Sequence, residues 1–121
     1  MRKKKKILVI DDADGIRKFL KITLENYQYT VIESNEGANG IEKFKSEKPD
    51  MVILDLGLPD IDGIDVLKTI RAFDDKTPIA ILTVRSEERY INAAYKAGAD
   101  AYVTKPFQID QILETIEELG L

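Results

Sequence analysis

A pair of acids (Asp11-Asp12), a single acid (Asp55), a threonine (Thr83) and a lysine before proline (Lys105-Pro106-Phe107) each follow a short apolar run. The runs are Ile7 to Ile10, Met51 to Leu54, Ile79 to Leu82 and Ala101 to Val103. Carboxylates can hold a hard divalent cation and leave one of their number free to react, while a hydroxyl and an ammonium can receive phosphoryl oxygens. The set therefore fits a magnesium-dependent phosphoryl site. Each run is apolar, mostly β-branched and bounded by charge or proline, as strands buried on both faces of a parallel sheet are. In open α/β sheets ligands bind just beyond the carboxyl ends of the strands, so these polar groups share one edge.

Each residue also has an ordinary explanation. Asp11-Asp12 precedes a predicted helix, and Asp is a good helix cap. Thr83 alone would pass as a strand threonine, and Lys105 as a solvated lysine. Asp55 is harder to dismiss, because Val52, Ile53 and Leu54 lead straight into it and a buried unpaired carboxylate is costly. Asp60 and Asp62 flank a Pro59 to Gly63 turn and are assigned local turn and cap roles. The bond before Pro106 is a candidate for the cis form, which would aim Lys105 back toward the strand ends.

Helical spacing separates the strands. Ile16, Phe19, Leu20, Thr23, Leu24 and Tyr27 recur at three and four residues, as do Ile109, Ile112, Leu113, Ile116 and Leu119. Weaker stripes run through Ala38, Ile41 and Phe44, through Ile64, Leu67, Ile70 and Phe73, and through Ile91, Ala94 and Ala97. Thr30 to Glu33 adds a fifth strand. Pro49 and Pro78 stand before apolar runs and disfavour helix there, and Gly98 can end a helix in the left-handed region. Five strand and helix alternations predict a doubly wound five-stranded parallel sheet with five helices on both faces. A flavodoxin-like strand order, 2-1-3-4-5, suits an active edge beside the first strand.

Length predicts a single domain over residues 1–121. With no Cys and no His, disulfides, thiolate metal sites and imidazole chemistry are excluded. Five of the 18 basic residues stand together at Arg2 to Lys6, so the rest of the chain is more acidic than the net charge of −4 suggests. Direct nucleic-acid binding is therefore not expected. Four apolar residues after the basic start are too few for a signal core, and no transmembrane stretch is present, so no membrane association is expected and the protein is expected to be cytoplasmic.

The chain resembles, over nearly its whole length, the receiver domain of two-component response regulators, including single-domain chemotaxis response regulators. The carriers are ILVIDD at Ile7 to Asp12, VILDLGLPDIDG at Val52 to Gly63, AILTV at Ala80 to Val84 and AGADAYVTKPF at Ala97 to Phe107. The resemblance implies that Asp55 accepts a phosphoryl group and that Asp12 and Asp55 ligate Mg2+ directly. It assigns Asp11 a role through metal-bound water and the Gly57 carbonyl the place of a further ligand. Thr83, Lys105 and the Gly57 and Val84 amides would hold phosphoryl oxygens. Thr83 and Tyr102 would form the switch, Tyr102 rotating inward, with plain core filling as its alternative role.

The donor implied is a sensor histidine kinase or phosphotransfer protein. The fourth helix, fifth strand and fifth helix would face a downstream protein or output domain, with a phosphorylation-dependent dimer as a further expectation. Three positions depart from the commonest pattern. Gly57 offers no side chain to guide a hydrolytic water, Val84 would narrow the entrance, and Arg85 adds a cation at the mouth that either attracts donors or pairs with nearby acids. The competing functions are a small Mg-dependent phosphatase using an aspartyl-phosphate, disfavoured by Gly57 where a second acid would stand, and a constitutive pseudo-receiver interaction module.

Overall fold

Strand and helix alternate strictly along the chain, and a computed structural model describes residues 3–121. The elements are β1 (Lys6–Ile10), α1 (Asp14–Asn26), β2 (Thr30–Ser34), α2 (Gly37–Glu47), β3 (Met51–Leu54), α3 (Gly63–Phe73), β4 (Ile79–Thr83), α4 (Glu88–Lys96), β5 (Ala101–Thr104) and α5 (Ile109–Glu118). All strands are parallel, in the order β2-β1-β3-β4-β5. The predicted sheet and its order are therefore the observed ones. β3 has its expected bounds, and the other four strands each reach one residue further than expected. Thr83 lies within β4, opposite Thr104 of β5, because the ladder continues for one residue past the apolar run.

The period of two in a strand sorts the apolar runs onto two faces. Ile7 and Val9 of β1, with Met51 and Ile53 of β3, pack with Leu20 and Leu24 of α1 and Ile112 and Ile116 of α5. Leu8, Ile10, Val52 and Leu54 point the other way, against Phe44 of α2, Val66, Leu67 and Ile70 of α3 and Ala94 of α4. A one-residue slip of β1 or β3 would exchange these sets, so the helices on both faces fix the register and with it the position of the residues at each strand's carboxyl end.

Two glycines answer local demands. Gly98 ends the turn after α4 at φ +110°, where a side chain would be strained. Gly63 starts α3 with its amide donating to the Leu56 carbonyl at 2.8 Å, and a Cβ there would overlap Leu56 Cα and the backbone oxygen of Asp55. Helix α3 therefore begins in backbone contact with the segment carrying Asp55. Asp62 caps it, its carboxylate accepting from the Ile64 amide at 3.0 Å, as expected. Asp60 also caps a helix, but not a local one. Its two oxygens accept from the Gly37 and Ala38 amides, at 2.7 and 2.9 Å, at the start of α2. These bonds hold its pKa below the ordinary aspartate value. Among the described residues no helix is long and apolar enough to cross a membrane.

Candidate functional site at the carboxyl edge of the sheet

Sheet bonds continue beyond the strands and hold the backbone of the polar residues. The Asp11 amide donates to Ser34 O at 3.0 Å, the Asp55 amide to Ile10 O at 2.9 Å and the Lys105 amide to Thr83 O at 2.8 Å. From α1, Arg17 donates to the Asp11 carbonyl at 2.8 Å. The Lys105–Pro106 peptide is cis, and Phe107 beyond it pairs with Phe19 of α1, ring centroids 6.1 Å apart. Asp11, Asp55, Thr83 and Lys105 are thereby delivered to one place by four different strands.

The side chains converge. Lys105 Nζ donates to Asp11 Oδ2 at 2.8 Å and to Asp55 Oδ2 at 3.2 Å. Asp11 Oδ1 accepts from the Ala13 amide at 2.9 Å, and Asp55 Oδ1 from the Gly57 amide at 3.1 Å. Asp11, Asp55 and Thr83 are buried, while Asp12 is exposed. Burial raises the Asp11 pKa; Lys105 and the Ala13 amide oppose this, and the charge of Asp55 adds to it. Burial would lower the pKa of Lys105, but the hydrogen bond and charge of Asp11, with Asp55 beside it, outweigh that and leave it raised. Lys105 thus stays cationic at neutral pH and serves as counterion to two buried acids.

Asp11, Asp12 and Asp55 each offer a carboxylate oxygen, and these oxygens lie within 4.8 Å of one another. Three hard oxygen donors this close, with one lysine among them, fit a small divalent cation of the magnesium class. The capping alternative for the acid pair is not realised. The N-cap of α1 is Ala13, and no side chain caps that helix. Gly57 leaves open space beside Asp55, since a Cβ there would meet only Asp55 Oδ1, at 4.0 Å. Val84 is 70% exposed, so its side chain stands in solvent at the rim.

Tyr102 is half-buried against the core on the α3 and α4 side, and its hydroxyl donates to the Arg85 carbonyl at 2.6 Å. Burial raises the Tyr102 pKa, against the opposing charge of Arg85, so the phenol stays protonated and able to donate. Of the two alternatives for the Arg85 cation, pairing is the one present, with Asp62 Oδ2 at 3.0 Å. Asp60 as the cap of α2 was not among the sequence expectations, and for Arg85 pairing with a nearby acid was expected but its partner Asp62 was not singled out. Opposite charge in neighbouring loops is the only sequence trace of the Arg85 to Asp62 pair, and the bonds of Asp60 to backbone amides leave none.

Residues 7–117 match the family described as the response regulator receiver domain. The chain belongs to that family and is a receiver domain of two-component signalling. It is 36% identical over 114 residues to the chemotaxis protein CheY of Bacillus subtilis (strain 168), covering 93% of this chain and 95% of that protein. To the alkaline phosphatase synthesis transcriptional regulatory protein PhoP of the same organism it is 43% identical over 103 residues, covering 85% of this chain. The matched stretch is 43% of that longer regulator. A crystal structure of a CheY-like response regulator receiver domain protein from Methanospirillum hungatei JF-1 agrees with a TM-score of 0.93 at 28% identity, over 96% of this chain and 93% of that one.

Proposed function

We propose that residues 1–121 form one receiver unit that accepts a phosphoryl group on Asp55, from the phosphohistidine of a sensor histidine kinase or a phosphotransfer protein. The observation that carries this is Lys105 Nζ held between Asp11 and Asp55, with the three acid oxygens gathered within 4.8 Å. An Asp55 carboxylate oxygen attacks phosphorus in line, the P–N bond to the donor imidazole breaks, and the imidazole leaves. The Gly57 amide, bonded to Oδ1, orients the carboxylate and leaves Oδ2 toward Lys105. Lys105, the Thr83 hydroxyl and the Gly57 and Val84 amides then receive the phosphoryl oxygens. Asp12, Asp55 and the Gly57 carbonyl would hold Mg2+, with Asp11 acting through water, and the bound cation would neutralise the charge that otherwise repels the incoming group.

Thr83 and Tyr102 carry the response to the α4, β5 and α5 face, where a downstream protein, an output domain or a second copy reads it. Phosphate shifts the population only as far as it binds one arrangement more tightly than the other. This makes the domain a regulator that assists its own modification, working in the cytoplasm. Asp55→Asn tests the reading by intact-mass spectrometry after incubation with a small acyl phosphate and Mg2+. The wild type is expected to gain one phosphate and the variant none. An equal adduct on both, at equal rate, removes Asp55 as acceptor.

A further inference from the structure

Loop Val84 to Glu87, between β4 and α4, adjoins the proposed phosphoryl site, yet little apolar burial holds it, since Val84 is 70% exposed. Its anchors converge on Arg85. The Arg85 amide donates to Thr83 Oγ1 at 3.4 Å, and its carbonyl accepts from the Tyr102 hydroxyl at 2.6 Å. Its guanidinium donates to Asp62 Oδ2 at 3.0 Å and lies 4.9 Å from the centre of the Tyr90 ring in α4. Asp62 is itself fixed, since its other oxygen caps α3. Arg89 sits 4.8 Å from the same Tyr90 ring, so two cations hold that ring.

From these contacts we infer that Arg85 is a positioning residue of the switch, an inference that rests on the phosphoacceptor reading above. Its side chain clasps the loop between α3 and α4, and the loop backbone in turn sets Tyr102 and Thr83 before any phosphoryl group arrives. On the edge strand β5, the Tyr102 hydroxyl needs an acceptor, and the clasped carbonyl supplies one. At Thr83, the Arg85 amide uses a lone pair of Oγ1 and leaves the single O–H proton free to donate toward the acceptor. With the side chain removed, the backbone amide and carbonyl remain but the loop that aims them is loosened. The free domain then has to order it when phosphate binds, which weakens binding.

The experiment compares wild type, Arg85→Ala, Arg85→Lys, Tyr102→Phe and the Arg85→Ala/Tyr102→Phe double variant. Each is titrated with beryllium fluoride in Mg2+, and Tyr102 and Thr83 signals are followed by NMR in the free proteins. Arg85→Ala is expected to shift those signals without the probe and to weaken probe binding about fivefold or more. Its thermal midpoint should stay close to wild type, because a part-exposed ion pair adds little global stability. Arg85→Lys, charged but without the planar fork, should recover only part of the loss. Tyr102→Phe should cost affinity in the wild-type background and little in Arg85→Ala. Additive losses, or free-state signals and affinity unchanged in Arg85→Ala, overturn the clasp. Failure of the wild type to bind the probe removes the phosphoacceptor reading instead, and the free-state signals of Arg85→Ala still decide whether the clasp positions Tyr102.

Discussion

Strands β3 and β5 both end at a proposed phosphoryl residue, Asp55 in one case and Lys105 in the other, yet they are built differently. Every residue of β3 is buried, whereas no residue of β5 is. One is a central strand packed by helices on both faces; the other is the sheet edge. The difference separates two tasks. In the proposed mechanism rigid burial would hold the Asp55 backbone where transfer demands fixed geometry, and the looser edge would carry Tyr102, whose position has to change.

The sharpest test of that division is core truncation on each side. Ile53→Ala, which empties a site only 3% exposed, is expected to cost about 2–5 kcal/mol. Val103→Ala lies on the same face of the sheet but half-buried, and is expected to cost roughly 1 kcal/mol or less. Urea denaturation reads both. Equal losses would mean that the edge strand is as firmly held as the centre, and the contrast would go.

A smaller effect concerns the fate of the phosphoryl group. Gly57 lies beside Asp55, the proposed acceptor, while Val84 stands out at the rim, so between these two of the three departures Gly57 carries more weight. Gly57→Asn places an amide side chain in open space beside Asp55, where it can orient a hydrolytic water. Phosphate loss in Mg2+ is expected to quicken by about tenfold. Val84→Ala should quicken it less. A Gly57→Asn rate at or below wild type would show that guidance of water is not what limits loss.

The smallest effect is set by pH at the loop after β3. The Asp60 pKa is held below its ordinary value of 3.8 chiefly by the Ala38 and Gly37 amides. A depressed carboxylate contributes stability above its unfolded pKa and loses it as pH falls through the folded value. Amide exchange at Gly37 and Ala38, corrected for intrinsic rates, should therefore be protected at pH 6 and lose that protection below pH 3.8. In Asp60→Asn the protection should be weaker at pH 6 and change little on acidification. Parallel profiles in the two proteins would mean that the carboxylate charge does not hold the start of α2.

The strands and the convergence of Asp11, Asp55, Thr83 and Lys105 were legible in the sequence because each depends on local signals. Apolar runs bounded by charge or proline make strands, strict alternation makes them parallel, and a parallel sheet gathers the residues beyond its strands at one edge. Asp60 looked local because it stands beside Pro59 and Gly63, the company of a turn residue. Its partners lie 22 and 23 residues away, and only the packing of α2 beside α3 brings them into reach. Arg85 and Asp62 were each noticed, but a pair 23 residues apart leaves no periodic trace, and Tyr102 reaches Arg85 through a backbone carbonyl that no side-chain pattern records.

The segment from Asp55 to Gly63 behaves unlike an ordinary surface loop, which accepts added residues readily. Its start is fixed by the Asp55 amide on Ile10, its middle by Asp60 on α2, and its end by Asp62 on α3 and by Gly63 against Leu56. Its length is consequently a fitted quantity. One inserted residue between Leu56 and Asp60 cannot bulge harmlessly outward. It shifts Asp60 against the Gly37 and Ala38 amides while Leu56 stays tied to Gly63, so evolution can vary what these positions are more easily than how many there are.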